Sequence, residues 1–213
     1  MSMDKPKGIF DVEIDLSDLP EHSSLDDYFT LQELKQRKFF ITDEIDQSVA
    51  EHIARFVMWY NKEDADIAPS ERQPIFIYIS SPGGSVDAGF EIIDVIQMSK
   101  TPVYTVNIGY AYSMGFLIML AGHKRYAMPN SKFLLHDGAN GVWDSGAKAQ
   151  DRMEFDRRVE QRIRDYILGY TTISPEEYHE KFRVEWYMFA NEAKGKGVID
   201  YIIGEDAMMD DVI

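Results

Sequence analysis

Cysteine is absent from all 213 residues. That excludes a disulfide framework, zinc–thiolate sites and a thiol nucleophile, and it fits a reducing compartment, so a cytoplasmic location is expected. Basic residues are few: 22 Lys plus Arg against 37 Asp plus Glu leave a formal net charge of -15. Nucleic acid and anionic membrane surfaces need a basic footprint that releases counterions, so neither is expected as a partner. Long apolar runs are also missing. The longest, MGFLIMLAG at 114–122, is far short of the roughly 20 residues a membrane-spanning helix needs. The opening MSMDKPKGIFDVEIDLSD carries acids through every apolar stretch and does not read as a secretory signal. A soluble protein is expected. No GxxxxGK[ST] phosphate loop occurs, and no two of the five histidines stand at ligand spacing. Neither a nucleotide site nor a metal site is therefore expected.

What is present is ordinary for a globular chain, with 45% hydrophobic and 28% charged residues and a length that favours one domain. Residues 1–30 hold eight acids (Asp4, Asp11, Glu13, Asp15, Asp18, Glu21, Asp26, Asp27) against Lys5 and Lys7, and read as a flexible or peripheral arm. Residues 31–213 read as a single domain.

Within that domain, short β-type runs alternate with helical periods. RKFFIT reads as a strand. DEIDQSVAEHIARFVMWYN reads as a helix with Ile45, Val49, Ile53, Val57 and Tyr60 on one face. IFIYIS is the next strand, followed by the SPGGS turn and a helix from about Asp87 to Ser99. PVYTVNI is a third strand, leading through a turn at Gly109 into a buried helix, SMGFLIMLAG; KRYAM and KFLLH are further strands. A long helix spans Lys148 to Tyr170 with an apolar stripe of Met153, Val159, Ile163, Tyr166, Ile167 and Tyr170. Ser174 caps another, with Pro175 at its first position and Glu177 three residues after the cap. Strands and helices in this alternation imply an α/β fold with a mostly parallel sheet.

Serine acyl chemistry needs a base for the hydroxyl proton, a group that orients the base, and N–H donors for the oxyanion. Ser113 stands where a strand enters a helix, so the N–H groups of Met114 and Gly115 fall at a helix N-terminus. AYSMG is close to the G-x-S-x-G nucleophile elbow, with Ala111 at the first glycine position. In SPGGS, Gly83 and Gly84 follow a strand and precede a helix, where backbone N–H groups face a cleft at the strand ends or simply form a tight turn. Among the histidines, His22 lies in the acidic arm, His52 in an amphipathic helix, and His123 and His179 near element ends. Only His136 closes an apolar strand ahead of a glycine-bearing loop, DGANG, a position suited to a general base.

Three segments, SSPGGSVDAG, GYAYSMGFLIMLAG and RYAMPNSKFLLHDG, taken in that order, resemble the proteolytic subunit of the Clp protease, the ClpP family of serine peptidases. The resemblance runs from about Tyr28 to Asp200. It implies a ClpP/crotonase-like spiral of βαβ units with a protruding handle helix at about 138–170, assembled as two stacked heptameric rings. It implies Ser113 as nucleophile, His136 as base, and the N–H groups of Gly84 and Met114 as the oxyanion hole. Gly83 and Ser85, with Gly138 and Gly141 of the segment after His136, would bind substrate backbone. No cofactor is implied, because ATP is used by a hexameric AAA+ unfoldase that feeds unfolded proteins to the chamber. The family's third triad member is an aspartate; counted back from GKGVID, that position is Glu185 here, with Asp137 and Glu180 as other candidate orienters. Two alternatives follow. Glu185, with the bulky Tyr110 and Tyr112, suits a catalytically silent subunit of a mixed ring. An acyl-CoA enzyme of the related crotonase fold fits less well, since the acidic chain lacks a basic patch for CoA phosphates.

Overall fold

The structure, a computed structural model, describes residues 24–137, 146–181 and 183–212. The chain divides into two compact units, Met1–Gln36 and Arg37–Ile213. In the first, helix α1 (Leu25–Lys35) starts at a capping box. The Asp27 N–H donates to Ser24 Oγ at 3.1 Å and the Ser24 N–H donates to Asp27 Oδ2 at 2.7 Å. Residues 25–30, assigned by composition to the acidic arm, are the first part of this helix, none of whose residues is buried.

In the second unit, the described residues form one seven-stranded sheet: β1 (Lys38–Ile41), β2 (Ile75–Ser81), β3 (Val103–Tyr112), β4 (Lys124–Ala127), β5 (Lys132–Leu135), β6 (Trp186–Phe189) and β7 (Tyr201–Ile202). The order is β1-β2-β3-β4-β7, with β5 beside the far half of β3 and β6 beside β5. Every pairing is parallel except β5 with β6. Helices α2 (Gln47–Glu63), α3 (Val86–Met98) and α4 (Met114–Ala121) return the chain between successive parallel strands. β2 is buried at all but one position, as a parallel strand covered on both faces requires. The α/β spiral of βαβ units expected from the sequence is therefore present. α5 (Gly146–Tyr170) corresponds to the expected helix at 148–170, followed by α6 (Pro175–Lys181) and α7 (Ala190–Gly195).

Two local expectations are corrected. The helix placed over residues 43–61 begins at Gln47, because Asp46 caps it by accepting the Val49 N–H at 3.0 Å. Ile45 thus lies outside the helix, in a parallel bridge to Gly84. The core face of α2 is Ala50, Ile53, Ala54 and Val57. Nor does Gly109 form a turn: β3 runs through it to Tyr112. Its near half pairs β4 and its far half pairs β5. At the changeover the Gly109 N–H donates to Asn107 Oδ1 at 3.0 Å, and a Cβ there would come within 2.7 Å of Ser80 Oγ. The glycine serves a close approach to the irregular pairing at Ile79 and Ser81.

The N-terminal edge of this unit is anchored by a buried ion pair. Arg37, with φ of 58°, donates from Nη1 and Nη2 to Asp64 Oδ2 and Oδ1 at 2.6 and 2.7 Å. The Thr101 hydroxyl donates to Asp64 Oδ2 at 3.0 Å. Asp64 is 2% exposed, so removing one partner leaves an uncompensated charge. Asp64→Ala is expected to cost about 3–5 kcal/mol in urea unfolding. The hydrogen bonds from Arg37 hold the Asp64 carboxyl below its ordinary value. A depressed folded-state value makes the contribution complete above the unfolded value, near pH 4. It is lost as pH falls through the lower folded value. The stability difference between wild type and Asp64→Ala is therefore expected to narrow as pH falls below about 4, and a difference that stays constant or widens on acidification would contradict this sign.

Candidate active site

The geometry around Ser113 starts from a backbone that residues other than glycine rarely adopt. Ser113 has φ of 53° and ψ of -118°, a conformation costing about 1–3 kcal/mol. It is held there from both sides. Its N–H donates to the Leu134 carbonyl of β5 at 2.9 Å, and its carbonyl accepts the N–H groups of Phe116 and Leu117 at 3.0 and 3.3 Å. All eight residues of α4 are buried, so the helix cannot shift to relieve the strain. The Met114 N–H, at the first helical position, has no acceptor among the described residues.

The SPGGS loop packs directly on this elbow. A Cβ on Gly83, at φ of +100°, would lie 2.7 Å from the Tyr112 carbonyl oxygen, 2.8 Å from Ser113 Cβ and 2.9 Å from the Met114 nitrogen. Only glycine permits that contact. Gly84 is clamped against the chain after β1: the Ile45 N–H donates to the Gly83 carbonyl at 2.8 Å, and the Ser85 N–H donates to the Ile45 carbonyl at 2.7 Å. Ser81 Oγ accepts the Gly83 N–H at 3.1 Å and donates to the Asp43 carbonyl at 2.6 Å. These bonds leave the Gly84 N–H without an acceptor among the described residues. Gly89 lets the Met114 side chain lie against α3, since a Cβ there would stand 2.3 Å from Met114 Cγ.

Ser113, Met114, Gly84, Ser85 and His136 line one cleft of about 520 Å³, a volume that accommodates a ligand side chain and its backbone. His136 is the first residue past β5 and is half-buried. The remaining walls come from Leu117, Leu135, Glu44, Asp87 and one side of α5. Gly83 lies beneath the elbow, buried, and does not line the cleft. Gly138 and Gly141 lie outside the described residues.

Glu185 is not brought into the cleft; it stands just before β6, as His136 stands just after β5. The β5–β6 ladder pairs Lys132 with Phe189, Leu134 with Tyr187 and Leu135 with Trp186. The ladder ends there, so that Glu185 and His136 flank the same end of the β5–β6 pair. The Glu185 side chain is exposed, and its Oε2 accepts the Tyr187 hydroxyl at 3.0 Å. That bond raises the Tyr187 phenol above its ordinary value. Tyr187 also makes an edge contact with Tyr112, 5.8 Å between ring centroids. Asp137 and Glu180 are exposed, and neither lines the cleft. His123, grouped by sequence with polar element ends, accepts the Val103 N–H on Nδ1 at 2.9 Å. Burial depresses its protonation.

Sequence reasoning missed β6, whose four residues WYMF alternate between the faces of the ladder, and with it the position of Glu185 and His136 at one end of the β5–β6 pair. It also missed Glu44 and Asp87, which reach the cleft only through tertiary folding. Val159 and Ile163 were visible in the α5 stripe, but their facing the cleft was not. Among the described residues no cluster of His, Asp or Glu could hold a metal ion, and no helix is long and apolar enough to cross a membrane.

A family model described as Clp protease matches residues 22–206. The chain belongs to the Clp protease family.

Strain at Ser113 predicts an unusual order of stabilities. Ser113→Gly relieves the positive φ, whereas Ser113→Ala keeps the Cβ that causes the strain. The glycine variant is expected to be more stable by about 1 kcal/mol in denaturant unfolding. An alanine variant equal to or above it would show that Ser113 is unstrained.

Proposed function

We propose that this member of the Clp protease family is the proteolytic subunit of an ATP-dependent protease, cleaving unfolded polypeptides by a serine, histidine and acid triad. The family implies a serine peptidase. One observation carries the finer reading: Ser113, on a strained elbow, shares a cleft with His136 and with two unpaired N–H groups, those of Gly84 and Met114.

In this reading Ser113 Oγ attacks the carbonyl carbon of the scissile peptide while His136 takes the hydroxyl proton. The carbonyl oxygen becomes an oxyanion held by the Gly84 and Met114 N–H groups. Collapse breaks the C–N bond, and the imidazolium returns its proton to the leaving amine. Water, deprotonated by His136, then hydrolyses the acyl-serine. Glu185 is the orienting acid, and it must exchange its bond with Tyr187 for one to His136; the position of both residues at one end of the β5–β6 ladder supports that reach. Ser85, with Gly138 and Gly141 outside the described residues, is proposed to help hold the substrate backbone, whereas Gly83, buried and outside the cleft lining, fixes the loop that presents the Gly84 N–H. The reaction needs no cofactor. ATP is used by a separate AAA+ unfoldase hexamer, and the subunit acts in the cytoplasm within two stacked heptameric rings. Met153 of α5, 50% exposed and outside the cleft lining, supports burial of the face of that helix turned away from the cleft against further subunits.

The second reading is a catalytically silent subunit of a mixed ring. It is favoured by the same Glu185–Tyr187 bond, which leaves His136 without its acid.

Peptide hydrolysis by the assembled protein separates the two. The triad reading expects Ser113→Ala to lose about 10⁴-fold or more in kcat. It expects Tyr187→Phe to raise kcat about fivefold, the equivalent of the roughly 1 kcal/mol hydrogen bond that competes for Glu185. Absence of turnover in wild type, Tyr187→Phe and Glu185→Asp alike would establish the silent subunit.

A further inference from the structure

The walls of the Ser113 cleft carry two kinds of surface. Its floor is apolar: Met114, Leu117 and Leu135 are buried, and Phe155, Val159 and Ile163 of α5 extend the floor along one side. Its rim is acidic, with Glu44 from the loop after β1, Asp87 from the first turn of α3, and Asp156 and Glu160 from α5. Among the described residues the only lysine or arginine lining the cleft is Arg152, and its Nε pairs with Asp156 Oδ1 at 3.3 Å. Among the described residues no cation stands within ion-pairing distance of Glu44, Asp87 or Glu160. Three carboxylates therefore face the cleft mouth without a counter-charge, in a chain already at -15.

A ligand that complements both surfaces has an apolar stem and a positive head. Lysine and arginine side chains have that form: their methylenes cover apolar surface while the charge stays at the wet edge. Leucine or methionine would fill the floor but leave the rim unanswered. Aspartate or glutamate would meet like charge at every rim position. We propose that the cleft selects polypeptide substrates with a lysine or arginine at the residue whose carbonyl Ser113 attacks, Glu44, Asp87 and Glu160 being the specificity-determining residues. This rests on the serine-peptidase reading.

The test compares three fluorogenic peptides that differ only at that residue, carrying lysine, norleucine or glutamate. Norleucine keeps the linear stem of lysine and removes its charge. Using the assembled full-length protein at low salt, kcat/KM for the lysine peptide should exceed that for norleucine about tenfold and that for glutamate about a hundredfold. In 1 M KCl the Debye length falls to about 3 Å, and the lysine-to-norleucine ratio should approach one. The ratio should fall in the same way at low salt in the triple variant Glu44→Gln, Asp87→Asn, Glu160→Gln. The wild-type salt series needs no variant to fold, so the proposal can fail without one. Norleucine cleaved as well as lysine, or a ratio that salt leaves unchanged, overturns the specificity. The same holds if a serine-directed probe labels the protein but the lysine peptide is not cleaved. Failure of every peptide together with absence of labelling overturns the peptidase reading and this inference with it.

Discussion

The site depends on one steric constraint, the contact between the backbone at Gly83 and the strand-to-helix corner at Tyr112–Met114. Any Cβ at residue 83 would lie under 3.0 Å from three atoms of that corner, a separation that real side chains do not reach. Through that contact the loop after β2 and the N-terminus of α4 form a single rigid corner. The Gly84 N–H, the Met114 N–H and Ser113 are positioned by the same backbone. Ser81 and Ile45 fix the loop from below, and the Leu134 carbonyl fixes Ser113 from the side. A donor pair assembled this way is organised before any ligand arrives, the condition under which electrostatic stabilisation of a developing charge is most effective.

Much of this could be read from residue order. Two glycines after a β-branched run, a serine at the mouth of an apolar helix and a histidine closing a strand are local signals. Their chemistry requires the strand ends at which they stand, so placing the strands places them. The parallel sheet was legible for the same reason, because IFIYIS and PVYTVNI admit no reading but buried strands. Other features were illegible because their cause is tertiary. Gly109 looks like a turn until the switch of β3 from β4 to β5 is known. Ile45 has helical spacing, but Asp46 captures the Val49 N–H and starts the helix two residues later. β6 gives only four residues of pattern, and the position of Glu185 follows from the pairing of the strand after it with β5 rather than from its own neighbours.

Charge distribution links the whole chain to the cleft. The acidic excess visible in composition is an argument about partners only until its location is known. Folding brings Glu44, Asp87 and Glu160, far apart in sequence, around one apolar floor, while Arg152 is spent on Asp156. The global negative charge and the local rim then act in the same direction on an approaching ligand, attracting positive groups and repelling negative ones.

The proposed peptidase chemistry rests on activation of the Ser113 hydroxyl by His136. Its most direct measurement is mass-spectrometric mapping of the adduct formed by a fluorophosphonate on the assembled protein. One adduct per chain is expected, on the Ser113 peptide, forming at least about 10³-fold more slowly in His136→Ala. No adduct, an adduct on another serine, or equal labelling without His136 would contradict it.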